Sequence, residues 1–170
     1  MKKKSDPKLE HVWAPWRMKY IQETSDKKCF FCMGIQQKDG VENLIVKRGK
    51  FAFVMLNRYP YTSGHLMVVP YEHKAAMQDL SSETKAEMMQ LITEGIQVLG
   101  EEYGAEGFNI GANLGAIAGA GVADHLHFHI VPRWNGDTNF MTSVGNARVL
   151  PENLSDTLQR IKNNWPVHKT

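Results

Sequence analysis

Two apolar runs stand close together in the chain, "FAFVML" at 51–56 and "HLMVVP" at 65–70, separated by the polar "NRYPYTSG". Short apolar runs rich in β-branched residues, parted by a segment holding Pro60 and Gly64, predict a strand, a turn and a strand. From Ser82 to Tyr103 the period changes. Met88, Leu91, Ile92, Ile96 and Leu99 recur at three- and four-residue spacing, which predicts one amphipathic helix that opens near an N-cap serine and stops before Gly104. "FNIGANL" and "HLHFHIVP" predict two further strands, near 108–113 and 126–132, around the glycine-rich "GAIAGAG". "PENLSDTLQRI" predicts a closing helix with Pro151 tolerated at its start. Strands without regular helical crossovers predict an α+β fold with a central antiparallel sheet. No repeat or low-complexity tract interrupts the pattern, so one domain is expected over 1–170, with 1–28 as an N-terminal arm and 151–170 as a C-terminal helix and tail. The arm gathers Trp13, Trp16, Met18 and Tyr20 in "WAPWRMKYI", a density of large apolar groups that predicts docking rather than a free tag.

Composition narrows the function classes. At 170 residues and 42% hydrophobic, the chain suits a single domain with a real core. Its 20 basic and 18 acidic residues leave a formal charge of +2, which gives no bulk attraction for nucleic acid or an anionic membrane. Any anion must therefore be caught locally. "MKKKSDPK" carries no apolar signal-like region, and no apolar run approaches the roughly 18 residues needed to span a bilayer. A soluble, cytoplasmic protein is expected. The two cysteines, Cys29 and Cys32 in "CFFC", are too few for a disulfide scaffold. A redox pair is expected to follow a buried strand, whereas polar "QETSDKK" precedes this one. A metal or a redox role is left open, with two buried thiols lacking a metal as the third reading.

The segment "HLHFHIVPRW" carries the strongest chemical signal. Side chains alternate along a strand, so His125, His127 and His129 project to one face while Leu126, Phe128 and Ile130 enter the core from the other. Imidazole, with an ordinary pKa of about 6.5, leaves a useful neutral and nucleophilic fraction near neutral pH. A solvated strand face is one alternative, although such faces usually carry Lys, Glu, Thr or Ser. A catalytic metal held by two of the histidines is another. Just upstream, Gly115, Gly119 and Gly121 remove side chains, so backbone N–H groups can turn inward as an anion nest. A plain flexible connector is the competing reading there.

"HLHFHIV" resembles the signature of the histidine triad (HIT) family of nucleotide hydrolases and transferases, without a departure over its seven positions. The strand pair around "NRYPYTSG" and the loop "FNIGANLGAIAGAGVADH" are similar to that family's nucleotide-binding turn and phosphate-side loop. "WAPWRMKYI", "CFFC" and "VPRWNGDTNFM" resemble the branch that includes bacterial diadenosine tetraphosphate phosphorylases. The resemblance implies a HIT-like fold, a homodimer, and an adenine mono- or dinucleotide substrate, with phosphate or water as acceptor. It implies that His127 is the nucleophile, that His129 hydrogen-bonds the phosphate or the leaving group, and that His125 holds the neighbouring geometry. It places Asn57 at a ribose-binding position, with turn chemistry as the alternative. Many relatives carry a glutamine just before the triad, where this chain has Ala120, Gly121 and Val122. A main-chain N–H, or Asn113, must then serve the phosphate.

A zinc knuckle at Cys29 and Cys32 needs two further ligands, and His73 and His125 match the positions used by zinc-bearing members of that family. Such a closed site is structural, and the nucleotidyl chemistry needs no metal. His65 is expected to be a satisfied structural histidine, while His11 and His168 stay unassigned. Phe108, Trp134 and Phe140 are candidates for stacking on a base or for the core. Two readings stand: an enzyme working through His127, and a zinc-stabilised nucleotide-binding or interaction protein without significant turnover. The complete triad beside a glycine loop favours the enzyme.

Overall fold

A computed structural model describes residues 29–138, 144 and 150–166. The expected docking arm, His11, Phe140 and His168 lie outside the described residues. A five-residue helix, α1 (Phe30–Gly34), precedes three strands, β1 (Ile45–Arg48), β2 (Ala52–Leu56) and β3 (Leu66–Pro70). Helix α2 (Ser82–Tyr103) follows, then β4 (Gly107–Gly111), β5 (Phe128–Arg133) and α3 (Leu154–Asn163). The strands form one sheet in the order β1-β2-β3-β5-β4, with every neighbouring pair antiparallel. The α+β architecture is the expected one. Among the described residues no helix is long and apolar enough to cross a membrane.

The continuous apolar runs of β2 and β3 have a physical reason, because both faces of these strands are covered. Ala52, Val54, Leu56, Leu66 and Val68 enter the larger core with Leu91, Leu99, Ile130, Leu158 and Ile161. Phe53, Met55, Met67 and Val69 face the other way and join Phe31 and Ile45 in a smaller cluster. Helix α2 fits closely on the first face because Gly95 has no side chain; a Cβ there would meet Ile130 Cδ1 at 2.8 Å. Its cap is Ser81, whose side chain accepts from Thr84 N–H at 3.0 Å, and Gly104 ends it at φ 57°. Helix α3 is capped by Asn153, so Pro151 lies before the helix rather than in its first turn.

Four features differ from the pattern-based expectation. Strand β1 and helix α1 were not predicted: β1 has only four residues, with a charged, exposed second half, and α1 is barely longer than one turn. β4 ends at Gly111 and β5 begins at Phe128 rather than extending to 113 and back to 126. Pro70 ends β3 and has no N–H for a ladder, and Leu126 N–H instead bonds Lys74 O at 2.8 Å in the turn beyond. The first two triad histidines therefore precede the regular strand.

Candidate active site and metal centre

His129 lies within β5 opposite Met67 and Gly111, and the alternation of faces continues upstream of the strand. Leu126 is buried with the helix-side core, while His125 and His127 turn to the opposite face and meet the ring of Phe31. That face is not solvated: His125 is 1% exposed and His127 5%.

The hydrogen bonds fix which nitrogen of each ring carries the proton. His127 Nδ1 lies 2.9 Å from the carbonyl of His125, so Nδ1–H donates and Nε2 keeps its lone pair. Tyr61 N–H donates to His65 Nδ1 at 3.1 Å, which puts the His65 proton on Nε2. His65 Nε2 in turn is 3.0 Å from His129 Nδ1, leaving the His129 proton on Nε2. The relay ends with a donor on His129 next to a bare nitrogen on His127, their ring centres 5.0 Å apart. Burial pushes all of these imidazoles toward neutrality. His127 is lowered by desolvation against the raising effect of the His125 carbonyl. His129 is pushed down to about 4 by burial and then by His127. His65 is pushed down to about 3 by burial and then by its two histidine neighbours. His65 is thus satisfied, as expected, but its partner is a triad histidine. Nothing in the run "SGHLMVV" reveals that contact, because it depends on β3 lying beside β5.

Helix α1 brings the cysteines to the same end of the sheet. The ligand atoms of Cys29, Cys32, His73 and His125 all lie within 4.8 Å of one another. Cys29 Sγ is 3.2 Å from His125 Nδ1, and Cys32 Sγ is 3.3 Å from His73 Nδ1 and 3.7 Å from His125 Nδ1. A tetrahedral zinc ion with bonds of about 2.3 Å to sulfur and about 2.0 Å to nitrogen has S···N edges of about 3.5 Å, so the donor set fits such an ion. The outer atoms fit too. His125 Nε2 lies 2.9 Å from the Pro70 carbonyl and His73 Nε2 lies 3.4 Å from Asp124, the usual way of aiming the other nitrogen at a metal. Burial pushes the Cys29 thiol up to about 11, a penalty on the thiolate that a divalent cation would reverse.

The other candidates are distributed less simply. Asn57 Oδ1 accepts from Tyr59 N–H at 3.0 Å and its Nδ2 is 3.4 Å from His65 Nδ1, so it shapes the β2–β3 turn beside the relay. In the glycine loop Gly115 and Gly119 take φ of 84° and 90°. The N–H groups of Ala118, Gly119 and Ala120 bond the loop's own carbonyls, and Asn113 Nδ2 bonds Gly119 O at 3.4 Å. Asn113 therefore rests on the loop here, and Gly121 follows it on the way to His125. Phe108 packs on the helix-side core, and Trp134 donates to Tyr103 O at 2.9 Å.

A buried row of imidazoles, a glycine loop before it and a two-cysteine knuckle beside it define a histidine-triad site. The HIT domain model matches residues 39–136, and the chain belongs to the HIT family. This is a family of nucleotide-processing enzymes. The chain is 40% identical over 165 residues to an AP-4-A phosphorylase of Mycobacterium tuberculosis (strain ATCC 25618 / H37Rv), covering 92% of this chain and 85% of that one. It is 29% identical over 126 residues to adenosine 5'-monophosphoramidase of Schizosaccharomyces pombe, covering 74% and 90%. Among solved structures, a Zn-bound histidine triad family protein from Mycobacterium smegmatis superposes with a TM-score of 0.65 at 27% identity, over 80% of this chain and 91% of that one.

Proposed function

We propose that this protein transfers a nucleotidyl group from an adenine dinucleotide such as diadenosine tetraphosphate to inorganic phosphate, through a covalent intermediate on His127. The observation that carries the reading is the proton arrangement: His127 holds its proton against its neighbour's carbonyl and presents Nε2 bare, beside the donor Nε2–H of His129. His127 Nε2 attacks the α-phosphorus, the P–N bond forms, and the P–O bond to the leaving nucleotide breaks. His129 donates to the phosphate oxygens or to the leaving oxygen, and His65 keeps it in the donating tautomer. Phosphate then attacks the phosphoramidate, restoring the imidazole. One difficult displacement becomes two easier ones.

The glycine loop and Asn113 are read as the polyphosphate side, with Gly119 and Gly121 allowing close approach of the backbone, and Asn57 as a ribose contact. The 40% identity to a protein named AP-4-A phosphorylase supports the dinucleotide and the acceptor. Zinc is read as structural: Cys29, Cys32, His73 and His125 would hold it, and bound there it supplies a cross-link that pins α1 to the strand of the triad. A homodimer is supported by β4, an edge strand, and by the exposure of Ile110 on it and of Leu114 and Ile117 in the segment that follows. The deciding assay incubates pure protein with diadenosine tetraphosphate, with and without phosphate. Phosphate-dependent ATP plus ADP supports the reading; ATP plus AMP regardless of phosphate makes the enzyme a hydrolase, and no turnover leaves a binding protein.

A further inference from the structure

The "CFFC" turn carries more than two metal ligands. Between the cysteines, Phe31 is 2% exposed, and its ring centre lies 5.2 Å from that of His125 and 5.1 Å from that of His127. The two planes meet it at 72° and 50°, so one benzene ring is wedged against a metal-site histidine and the triad's middle histidine together. The same ring belongs to the small cluster with Phe53, Met55 and Met67, and Met67 stands opposite His129 in the sheet. A His127 ring has one strong tether, the Nδ1–H bond to the His125 carbonyl two residues away. A single hydrogen bond leaves the ring free to swing about its own bonds, and a close apolar wall removes that freedom.

We infer that Phe31 is a positioning residue for His127, holding the imidazole in the orientation that keeps Nδ1 on the His125 carbonyl and Nε2 toward the substrate. The inference rests on the proposed role of His127 as nucleophile. It gives the knuckle a purpose its ligand set alone does not state: α1, cross-linked beside the strand, is the mount for the ring that steadies the triad. A misplacement of about 1 Å in a reacting group can cost about 100-fold in rate, so a missing wall should appear in kcat and not in substrate binding.

The test compares Phe31→Ala, Phe31→Leu and Leu158→Ala in the zinc-loaded protein, where Leu158 is a fully buried residue of the opposite, helix-side core. Phe31→Ala should lower kcat about 10- to 100-fold with KM nearly unchanged. Phe31→Leu, which refills the space, should recover most of the rate. Leu158→Ala should lower stability and leave kcat of the folded protein in place. Nitrogen-15 NMR of the histidine rings supplies the readout independent of activity: the long-lived Nδ1–H signal of His127 should weaken or exchange faster in Phe31→Ala, with zinc content unchanged by metal analysis. Unchanged kcat and an unchanged His127 signal in Phe31→Ala would overturn the inference. So would equal rate losses in Phe31→Ala and Leu158→Ala, which would make Phe31 merely structural. His127→Asn separates this from the parent reading, because turnover surviving in that variant removes the nucleophile itself, whereas turnover abolished there but intact in Phe31→Ala removes only the positioning role.

Discussion

The two faces of the sheet are built on different principles. On one, helices α2 and α3 cover a broad apolar layer that includes Leu56, Leu66, Ile92, Leu99, Ile130 and Leu158. On the other, Phe31, Ile45, Phe53, Met55, Met67 and Val69 make a small cluster, and the triad imidazoles and the two thiols lie on the same side. The first face is held by apolar area, at about 25 cal/mol per Å² removed from water. The second is held by hydrogen-bonded rings whose burial is unfavourable to charge and, in the proposed reading, by a zinc cross-link. Stability and chemistry are thereby separated by the thickness of one sheet, and His129 and Ile130 are consecutive residues serving one each.

The sharpest way to break this division is to remove chemistry without removing packing. His127→Asn should leave the melting temperature and nucleotide affinity near those of the parent while steady-state turnover of diadenosine tetraphosphate falls by several orders of magnitude. His129→Asn should cost less, since it removes a donor and not the bond-forming atom.

The reverse experiment removes packing from the helix face. Leu158→Ala should cost about 2–5 kcal/mol in urea unfolding. The active-site titrations of the folded fraction should stay unchanged. A large loss of kcat per folded molecule would show that the faces are not independent.

Metal removal tests the second face alone. Cys29→Ser should abolish stoichiometric zinc by metal analysis, and it should lower stability by about 3 kcal/mol when free zinc stands about a hundredfold above its Kd. Protection of α2 amides in hydrogen exchange should persist while that of α1 is lost.

The last test is the pH dependence. His65 folds with its pKa pushed down to about 3, so the folded state resists a proton that the unfolded chain accepts near pH 6.5. Stability from this group is fully present above that value and falls as pH drops from about 6.5 toward about 3. In His65→Gln the decline measured by chemical denaturation should be shallower.

How much of this was legible in the sequence differs between the faces in the same way. The helix face announces itself through periodicity: Met88, Leu91, Ile92 and Leu99 give α2 within a residue, and the solid apolar runs give β2 and β3. The triad was legible as alternation, and the four metal-site residues as a spacing plus a resemblance. The relay from Tyr61 through His65 to His129, and the wedge of Phe31, were not. They join residues 64 and 96 apart by hydrogen bond or ring contact across the sheet, as between His65 and His129 or between α1 and His127. Strand order creates such contacts, and no local pattern encodes it. The start of β5 was misjudged for a related reason, since Pro70 on the neighbouring β3 has no N–H to carry the ladder back to 126, and β4 stops where its pairing with β5 does, at the Gly111–His129 pair.

The central claim is that His127 forms the bond to phosphorus. It is tested most directly by quenching the enzyme during turnover of dinucleotide labelled at the α-phosphate and mapping the protein-bound label by mass spectrometry. The account predicts one nucleotide per active subunit on His127, stable in base and lost in acid, discharged by phosphate and absent from His127→Asn. Label on another residue, or full turnover with no protein-bound nucleotide on any timescale shorter than a catalytic cycle, would contradict it.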